Sequence, residues 1–133
     1  MSEEVQVPIA SDMDVVRARQ EGRALALRLG FSVSDATLIA TAISELSRNI
    51  VSYARTGSVL MRSIREAGRT GMLILAADAG PGIADVPLAL RDGFSSSGGL
   101  GLGLPGVRRL MDEFEIESAA GAGTRVTVRK WLP

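Results

Sequence analysis

The chain has 133 residues, 46% of them apolar, and its 15 Lys and Arg residues balance its 15 Asp and Glu residues. This composition predicts one globular domain over residues 1–133, and the zero net charge argues against binding to nucleic acid or an anionic membrane. Because the sequence contains no cysteine and no histidine, it excludes disulfides, zinc sites and mechanisms with a thiolate or a histidine base. The N-terminus lacks the layout of a signal peptide and no apolar run could span a membrane, so we expect a cytoplasmic location.

The first part of the chain is predicted to form an edge strand and a helix. Residues 5–9 alternate between apolar and polar side chains, and Pro8 restricts such a strand to the margin of a sheet. Ser11 and Asp14 form a variant of the capping box, which opens a helix. Gly30 follows the last apolar residue of this helix, so we expect the helix to end near Leu29.

A second helix is predicted to begin after Ser34, which we assign as its N-cap. Its apolar residues recur at intervals of three and four, which indicates one buried face. We expect this helix to end near Tyr53 or Ala54, before Thr56 and Gly57.

The second half of the chain is predicted to supply two strand pairs. Segments 58–65 and 72–77 form a hairpin across a turn at 66–71, and segments 114–118 and 124–130 form a second pair. A helix beginning near Leu104 lies between the two pairs. This order predicts an α+β fold: a two-layer sandwich with helices on one face of a mostly antiparallel sheet.

A glycine-rich loop precedes that last helix, and its segment 101–106 matches the dinucleotide-binding pattern G-x-G-x-x-G. In a dinucleotide-binding fold a strand delivers these glycines to a helix, but residues 94–99 have no strand character. The loop therefore indicates a phosphate site at a helix N-terminus, with a simple linker as the alternative.

Three further elements carry candidate chemistry. Glu45 and Asn49 project from one helix face, where an amide oxygen suits Mg²⁺ and a carboxylate can accept a proton from a hydroxyl; two solvated helix residues are the alternative. Asp78 ends the apolar strand before a Gly-Pro-Gly segment, so it can bind the exocyclic amine of adenine or simply form a turn. Thr124 is the first residue of the last strand. Its hydroxyl can hydrogen-bond a buried carboxylate; the alternative is that Thr124 is only a structural strand residue.

Taken in order, these elements resemble the GHKL ATPases. Segment 45–49 resembles the N box, 78–82 the D-x-G-x-G box and 99–103 the second glycine box, with Thr124 as the trailing threonine. The resemblance implies the Bergerat fold and binding of ATP with Mg²⁺.

The resemblance also implies a role for each matched residue. Asp78 selects adenine with support from Thr124, Asn49 holds the metal, and Glu45 orients or deprotonates the acceptor hydroxyl. The glycines let the nucleotide approach the backbone; they are Gly80, Gly82, Gly99, Gly101 and Gly103. Residues 94–99 contain no Lys or Arg to clamp the terminal phosphate, and Arg48 and Arg91 are the candidates to replace that charge.

Within this family the chain resembles the small serine-protein kinases of bacterial partner-switching modules, including stressosome switch kinases. Segments 44–54, 78–83 and 99–118 carry this resemblance, and the lack of histidine excludes a phosphoacceptor histidine. The resemblance implies phosphorylation of serine or threonine on STAS-domain proteins (stressosome scaffold and antagonist), followed by binding to the regulatory domain of a PP2C-type phosphatase. Two alternatives remain: an anti-sigma factor kinase that sequesters a sigma factor, and a phosphatase-binding module with a structural nucleotide.

Overall fold

The computed structural model describes residues 3–83, 86–90 and 103–133. In chain order its elements are β1 (Glu4–Ile9), α1 (Asp12–Leu29), α2 (Val33–Asn49), a π-helical turn (Ile50–Ala54), β2 (Gly57–Glu66), β3 (Arg69–Asp78), α3 (Val86–Ala89), α4 (Gly103–Leu110), β4 (Glu113–Ser118) and β5 (Thr124–Trp131).

The five strands form one sheet in the order β1-β2-β3-β5-β4, with every neighbouring pair antiparallel. Helices α1, α2 and α4 contribute buried apolar residues to one core with the facing side of the sheet. The predicted α+β architecture is confirmed, as is the position of β1 at an edge of the sheet.

The buried face of α2 dominates the contact between helices and sheet. Ile39, Ile43 and Leu46 are at most 2% exposed and pack in the same core as Met61 and Ile74. Burying one such side chain stabilises the fold by roughly 1.5–3 kcal/mol. This packing fixes the rotation of α2, and therefore the direction in which its polar side chains project.

The N-termini of the first two helices are capped by different means. The Ser11 side chain makes no capping bond to α1; Asp14 instead accepts a hydrogen bond from the Ala10 backbone at 2.9 Å. At α2 the prediction of Ser34 as N-cap is wrong, because the Ser32 side chain accepts from the Asp35 N–H at 3.1 Å. Ser32 and Ser34 both precede Asp35, so the local sequence did not show which of them caps the helix.

The predicted end of the second helix is confirmed, but its last five residues, Ile50–Ala54, widen into a π-helical turn. Arg55 follows with φ of 70°, the left-handed region that residues with a side chain rarely adopt. The chain then enters β2 directly at Gly57. Single π-helical turns are frequent at functional sites, and this one borders the cavity described below.

The β2–β3 hairpin is tighter than predicted. Its strands pair as far as Glu66 and Arg69, so Ala67 and Gly68 alone form the connection, both at positive φ. Two positive φ values are typical of the two-residue turn that matches strand twist. In the part of the chain that the structure describes, no helix is both long and apolar enough to cross a membrane.

Candidate functional site

A cavity of about 230 Å³ lies between the C-terminal end of α2 and the adjoining ends of β3 and β5. Asn49 lines it from the helix, and Asp78 and Thr124 line it from the sheet. Apolar side chains form much of the remaining wall; they are Leu46, Ile50, Ala76, Ile83, Leu104 and Val126. The fold therefore brings Asn49 and Asp78, 29 positions apart in the sequence, to one cavity.

The two polar residues on the sheet side of the cavity belong to one row of residues across four strands. Asp78 pairs in register with Gly57 on β2 and with Thr124 on β5, and Thr124 pairs with Ser118 on β4. The Asp78 Oδ1 atom accepts a hydrogen bond from the Gly80 N–H at 2.9 Å. This bond orients the carboxylate in a largely apolar pocket.

Close contacts with neighbouring atoms require glycine at positions 80 and 82. A Cβ at Gly80 would lie 2.5 Å from the Ala54 Cβ atom, and a Cβ at Gly82 would overlap the Ala119 carbonyl oxygen. Gly82 also has φ of +76°. The Gly121 N–H donates to the Pro81 carbonyl at 2.6 Å, which joins this loop to the β4–β5 turn. Both predicted glycines thus allow the loop to pack closely on its neighbours, and Gly82 lines the cavity.

A hydroxyl network lies behind the cavity wall. The Ser118 Oγ atom accepts from the Ile83 N–H at 2.8 Å and donates to the Gly123 carbonyl at 2.8 Å. It also lies 2.9 Å from Thr124 Oγ1. Within the described residues, the Thr124 hydroxyl is thus bonded to Ser118 and has no bond to Asp78.

The end of α2, at and just before the cavity, contains two buried polar atoms without partners among the described residues. Glu45 is only 4% exposed, so the alternative of a solvated residue is wrong at this position. Its Oε1 accepts from Arg48 at 3.1 Å, whereas its Oε2 has no hydrogen-bond partner among the described residues. The Asn49 Oδ1 atom is also buried and unpartnered there. Glu45 lies one helical turn before Asn49, outside the lining of the cavity.

The glycine loop is described only at its end. Gly103 begins α4 with φ of +66° and is buried, and Leu104 after it lines the cavity. The start of α4 is therefore next to the site, as predicted. Gly99, Gly101 and Arg91 lie outside the described residues.

Two residues of the site were missed by the sequence reasoning. Tyr53 lines the cavity from the π-helical turn and is 53% exposed. Its position four residues after Asn49 is the signal that could have identified it. Ser118 carried no local signal, because its contact with Thr124 depends on the register of β4 against β5.

Comparisons with known proteins agree with this architecture. A model of the histidine kinase-like ATPase domain matches residues 9–130. The serine/threonine-protein kinase RsbT of Bacillus subtilis (strain 168) is 50% identical over 132 residues, which cover 99% of each chain. The anti-sigma F factor of Caldanaerobacter subterraneus subsp. tengcongensis is 29% identical over 119 residues, covering 86% of this chain and 83% of that protein. The anti-sigma F factor of Thermoanaerobacter sp. (strain X514) is 26% identical over 121 residues, with the same coverage.

The match to the domain model and the identity to RsbT both extend over nearly the whole chain. They confirm the resemblance drawn from the ordered motifs. The chain belongs to the histidine kinase-like ATPases and, within them, to the ATP-using serine/threonine-protein kinases related to RsbT.

Proposed function

We propose that this protein is the kinase of a bacterial partner switch. It transfers phosphate from ATP to serine or threonine on STAS-domain proteins, and afterwards binds the regulatory domain of a PP2C-type phosphatase. The observation that carries the proposal is the shared cavity: an acidic residue at a strand end and an amide on the neighbouring helix line the same space. The identity to the kinase RsbT supports the choice of a protein hydroxyl as acceptor.

The adenine end of ATP is assigned to the sheet side of the cavity. The Asp78 carboxylate can accept a hydrogen bond from the exocyclic amine, and the apolar walls contributed by Ala76 and Val126 suit a planar base. Tyr53 presents an exposed ring at the same cavity, in a position to pack against the base. Gly80 and Gly82 leave room for the nucleotide to approach the backbone.

The phosphate end is assigned to the helix side, where the residues fit a magnesium ion. The Asn49 Oδ1 atom is buried and has no hydrogen-bond partner among residues 3–83, 86–90 and 103–133, and a neutral amide oxygen is a suitable ligand for Mg²⁺. When bound, the ion neutralises charge that develops on the phosphates. The start of α4 at Gly103, with Gly99 and Gly101 before it, would supply backbone N–H groups to the same phosphates.

Glu45 is assigned to the acceptor hydroxyl. Its Oε2 atom has no hydrogen-bond partner in the described part of the chain, while Arg48 fixes its Oε1 atom. In the transfer, the hydroxyl oxygen of the protein substrate forms a bond to the γ-phosphorus and its proton passes to Glu45. The bond from the γ-phosphorus to the bridging oxygen breaks, and ADP leaves with the electron pair. Arg48 is therefore engaged with Glu45, so of the two candidate cations Arg91, which lies outside the described residues, is the one left for the terminal phosphate.

The direct test is incubation with labelled ATP, Mg²⁺ and a STAS-domain protein, comparing the native chain with Glu45→Gln. We expect the variant to bind ATP normally and to form phosphoserine or phosphothreonine about a hundredfold or more slowly, the usual loss for a general base. Glu21→Gln is the matched control, because Glu21 is an exposed carboxylate on α1. Unchanged transfer in Glu45→Gln would contradict the assignment of Glu45.

An anti-sigma factor kinase is the second candidate, supported by the similarity to two anti-sigma F factors. A pull-down with a sigma factor and with a STAS-domain protein separates the two functions. Retention of the sigma factor would favour this candidate. Phosphatase activation that persists in Glu45→Gln, with no phosphate transfer by the native chain, would favour a nucleotide-stabilised binding module.

A further inference from the structure

Arg48 and Glu45 form an ion pair near the end of α2 that borders the cavity. The two residues are three positions apart, so they share one face of the helix. The Arg48 Nη1 atom donates to the Glu45 Oε1 atom at 3.1 Å. The Glu45 side chain is only 6% exposed, whereas the Arg48 side chain is 41% exposed. The pair therefore joins a buried carboxylate to a cation that reaches the surface.

The burial of Glu45 makes this pair more consequential than an ion pair on the surface. Exposed pairs contribute little, because water competes for both charges. A buried carboxylate, by contrast, is costly unless a cation or a hydrogen-bond donor compensates it. Among residues 3–83, 86–90 and 103–133, Arg48 is the only partner of the Glu45 carboxylate. Within this part of the chain, Arg48 therefore compensates the burial of Glu45.

The pair also fixes the orientation of the carboxylate. A glutamate side chain has several rotatable bonds, so its carboxylate has a defined position only where a contact holds it. Here Arg48 holds the Oε1 atom, and the Oε2 atom has no hydrogen-bond partner among the described residues. Misplacing a catalytic group by about 1 Å can slow a reaction about a hundredfold. Loss of the Arg48 contact should therefore slow a step that depends on Glu45.

A clamp on the terminal phosphate is the competing role for Arg48. A guanidinium carries several N–H donors and binds phosphate well. Movement of Arg48 from Glu45 to a phosphate, however, would leave the buried carboxylate with neither oxygen bonded among the described residues. The geometry therefore favours a role that acts through Glu45 over a role on the nucleotide.

We propose that Arg48 is a positioning residue: it holds the Glu45 carboxylate in place for the acceptor hydroxyl and does not bind the nucleotide. The inference rests on the proposed kinase function and adds to it the residue that orients the base. Removing the guanidinium should slow phosphate transfer and leave ATP affinity unchanged. It should have no effect once Glu45 has lost its carboxylate.

The first test asks whether the pair exists in the full chain in solution, without nucleotide. Urea unfolding is compared in the native chain, Arg48→Met, Glu45→Gln and the double variant; methionine keeps much of the alkyl stem and removes the charge. We expect Arg48→Met to lower the urea midpoint when Glu45 is present, because it leaves the buried carboxylate unpaired. In Glu45→Gln the same substitution should change the midpoint much less. Equal changes in both backgrounds would show that the side chains do not interact, and would overturn the proposal.

The second test follows the reaction, with calorimetry for ATP affinity and single-turnover transfer to a STAS-domain protein. Arg48→Met should transfer phosphate about tenfold or more slowly and bind ATP as the native chain does. Arg48→Lys should recover most of the rate, because a lysine ammonium can also make a single N–H to oxygen bond. Arg65→Met is the control, since Arg65 is exposed near the β2–β3 turn, at the opposite end of the strand from Gly57.

The double variant separates positioning from a phosphate clamp. In the Glu45→Gln background, Arg48→Met should cause no further loss of transfer. A full further loss there, or weaker ATP binding in Arg48→Met, would assign Arg48 to the nucleotide and overturn the proposal. This comparison remains decisive if Arg48→Met alone does not fold, because the double variant buries no unpaired carboxylate at position 45.

The outcomes also distinguish this inference from the proposed function. If the native chain transfers no phosphate to STAS-domain proteins, the proposed function fails, and the role of Arg48 with it. If the native chain transfers phosphate and Arg48→Met does so at the native rate, only the role of Arg48 fails.

Discussion

The two sides of the cavity differ in how their polar groups are satisfied. On the sheet side, Asp78 accepts a backbone hydrogen bond and Ser118 engages Thr124 and the neighbouring loops. On the helix side, Asn49 Oδ1 in the lining and Glu45 Oε2, one turn earlier and outside the lining, are buried with no partner among the described residues. An unsatisfied buried acceptor costs about 1–3 kcal/mol. In the proposed function, the sheet side is organised before the nucleotide arrives and the nucleotide with its metal completes the helix side.

Asn49→Ala should have the largest effect on turnover. It removes the one amide oxygen assigned to the metal, so we expect phosphate transfer to fall by more than about a hundredfold, the upper loss seen for residues that merely support a metal ligand. Single-turnover transfer measured over a range of Mg²⁺ concentrations checks this. Full activity of the variant at ordinary Mg²⁺ concentrations would contradict the assignment of Asn49 to the metal at the phosphate end of ATP.

Asp78→Asn should weaken the binding of ATP. The substitution replaces a charged acceptor by a neutral amide, and a hydrogen bond to a charged group contributes about 1.5–3 kcal/mol. ATP should therefore bind about 10- to 100-fold more weakly in calorimetry. Inorganic triphosphate, which lacks a base, should bind equally well to both proteins; an equal loss for both ligands would place Asp78 outside the base site.

Gly82→Ala tests the rigid loop on the sheet side through stability. A left-handed φ costs a residue with a side chain about 1 kcal/mol, and the overlap with the Ala119 carbonyl adds about 1–3 kcal/mol. The matched control is Gly121→Ala, which has nearly the same φ but no atom within 4 Å of the added Cβ. Urea unfolding should show a larger loss at position 82, and equal losses would refute the close contact.

Of these substitutions, Tyr53→Leu should have the smallest effect, a modest loss of ATP affinity. Leucine keeps apolar area at the cavity but removes the aromatic ring, which contributes about 0.5–1.5 kcal/mol beyond area burial. ATP affinity should fall roughly two- to twelvefold, and Tyr53→Phe should restore it. A loss in Tyr53→Phe equal to that in Tyr53→Leu would assign the effect to the hydroxyl instead.

Much of the fold was predictable because its signals are local. Periodic apolar residues defined α2, and alternation defined the strands, so the two-layer order followed. The meeting of Asp78 and Asn49 was predicted only through the ordered motifs, since spacing alone does not place β3 beside the end of α2. Their presence in one cavity agrees with that prediction.

Other features depend on tertiary structure and were not predicted from the sequence. The burial of Glu45 requires knowledge of what covers α2, because helical periodicity gives only the direction of a side chain. The contact between Ser118 and Thr124 follows from strand register, which the β4–β5 turn sets. The π-helical turn at Ile50–Ala54 has no sequence signature that we used.

The Mg²⁺ dependence of ATP binding tests the central claim most directly. ATP should be titrated into the native chain, Asp78→Asn and Asn49→Ala, with and without Mg²⁺. If one nucleotide spans the cavity, Asp78→Asn weakens binding under both conditions, whereas Asn49→Ala removes only the increment that Mg²⁺ provides. Loss of the Mg²⁺ increment in Asp78→Asn, or its survival in Asn49→Ala, would contradict the account.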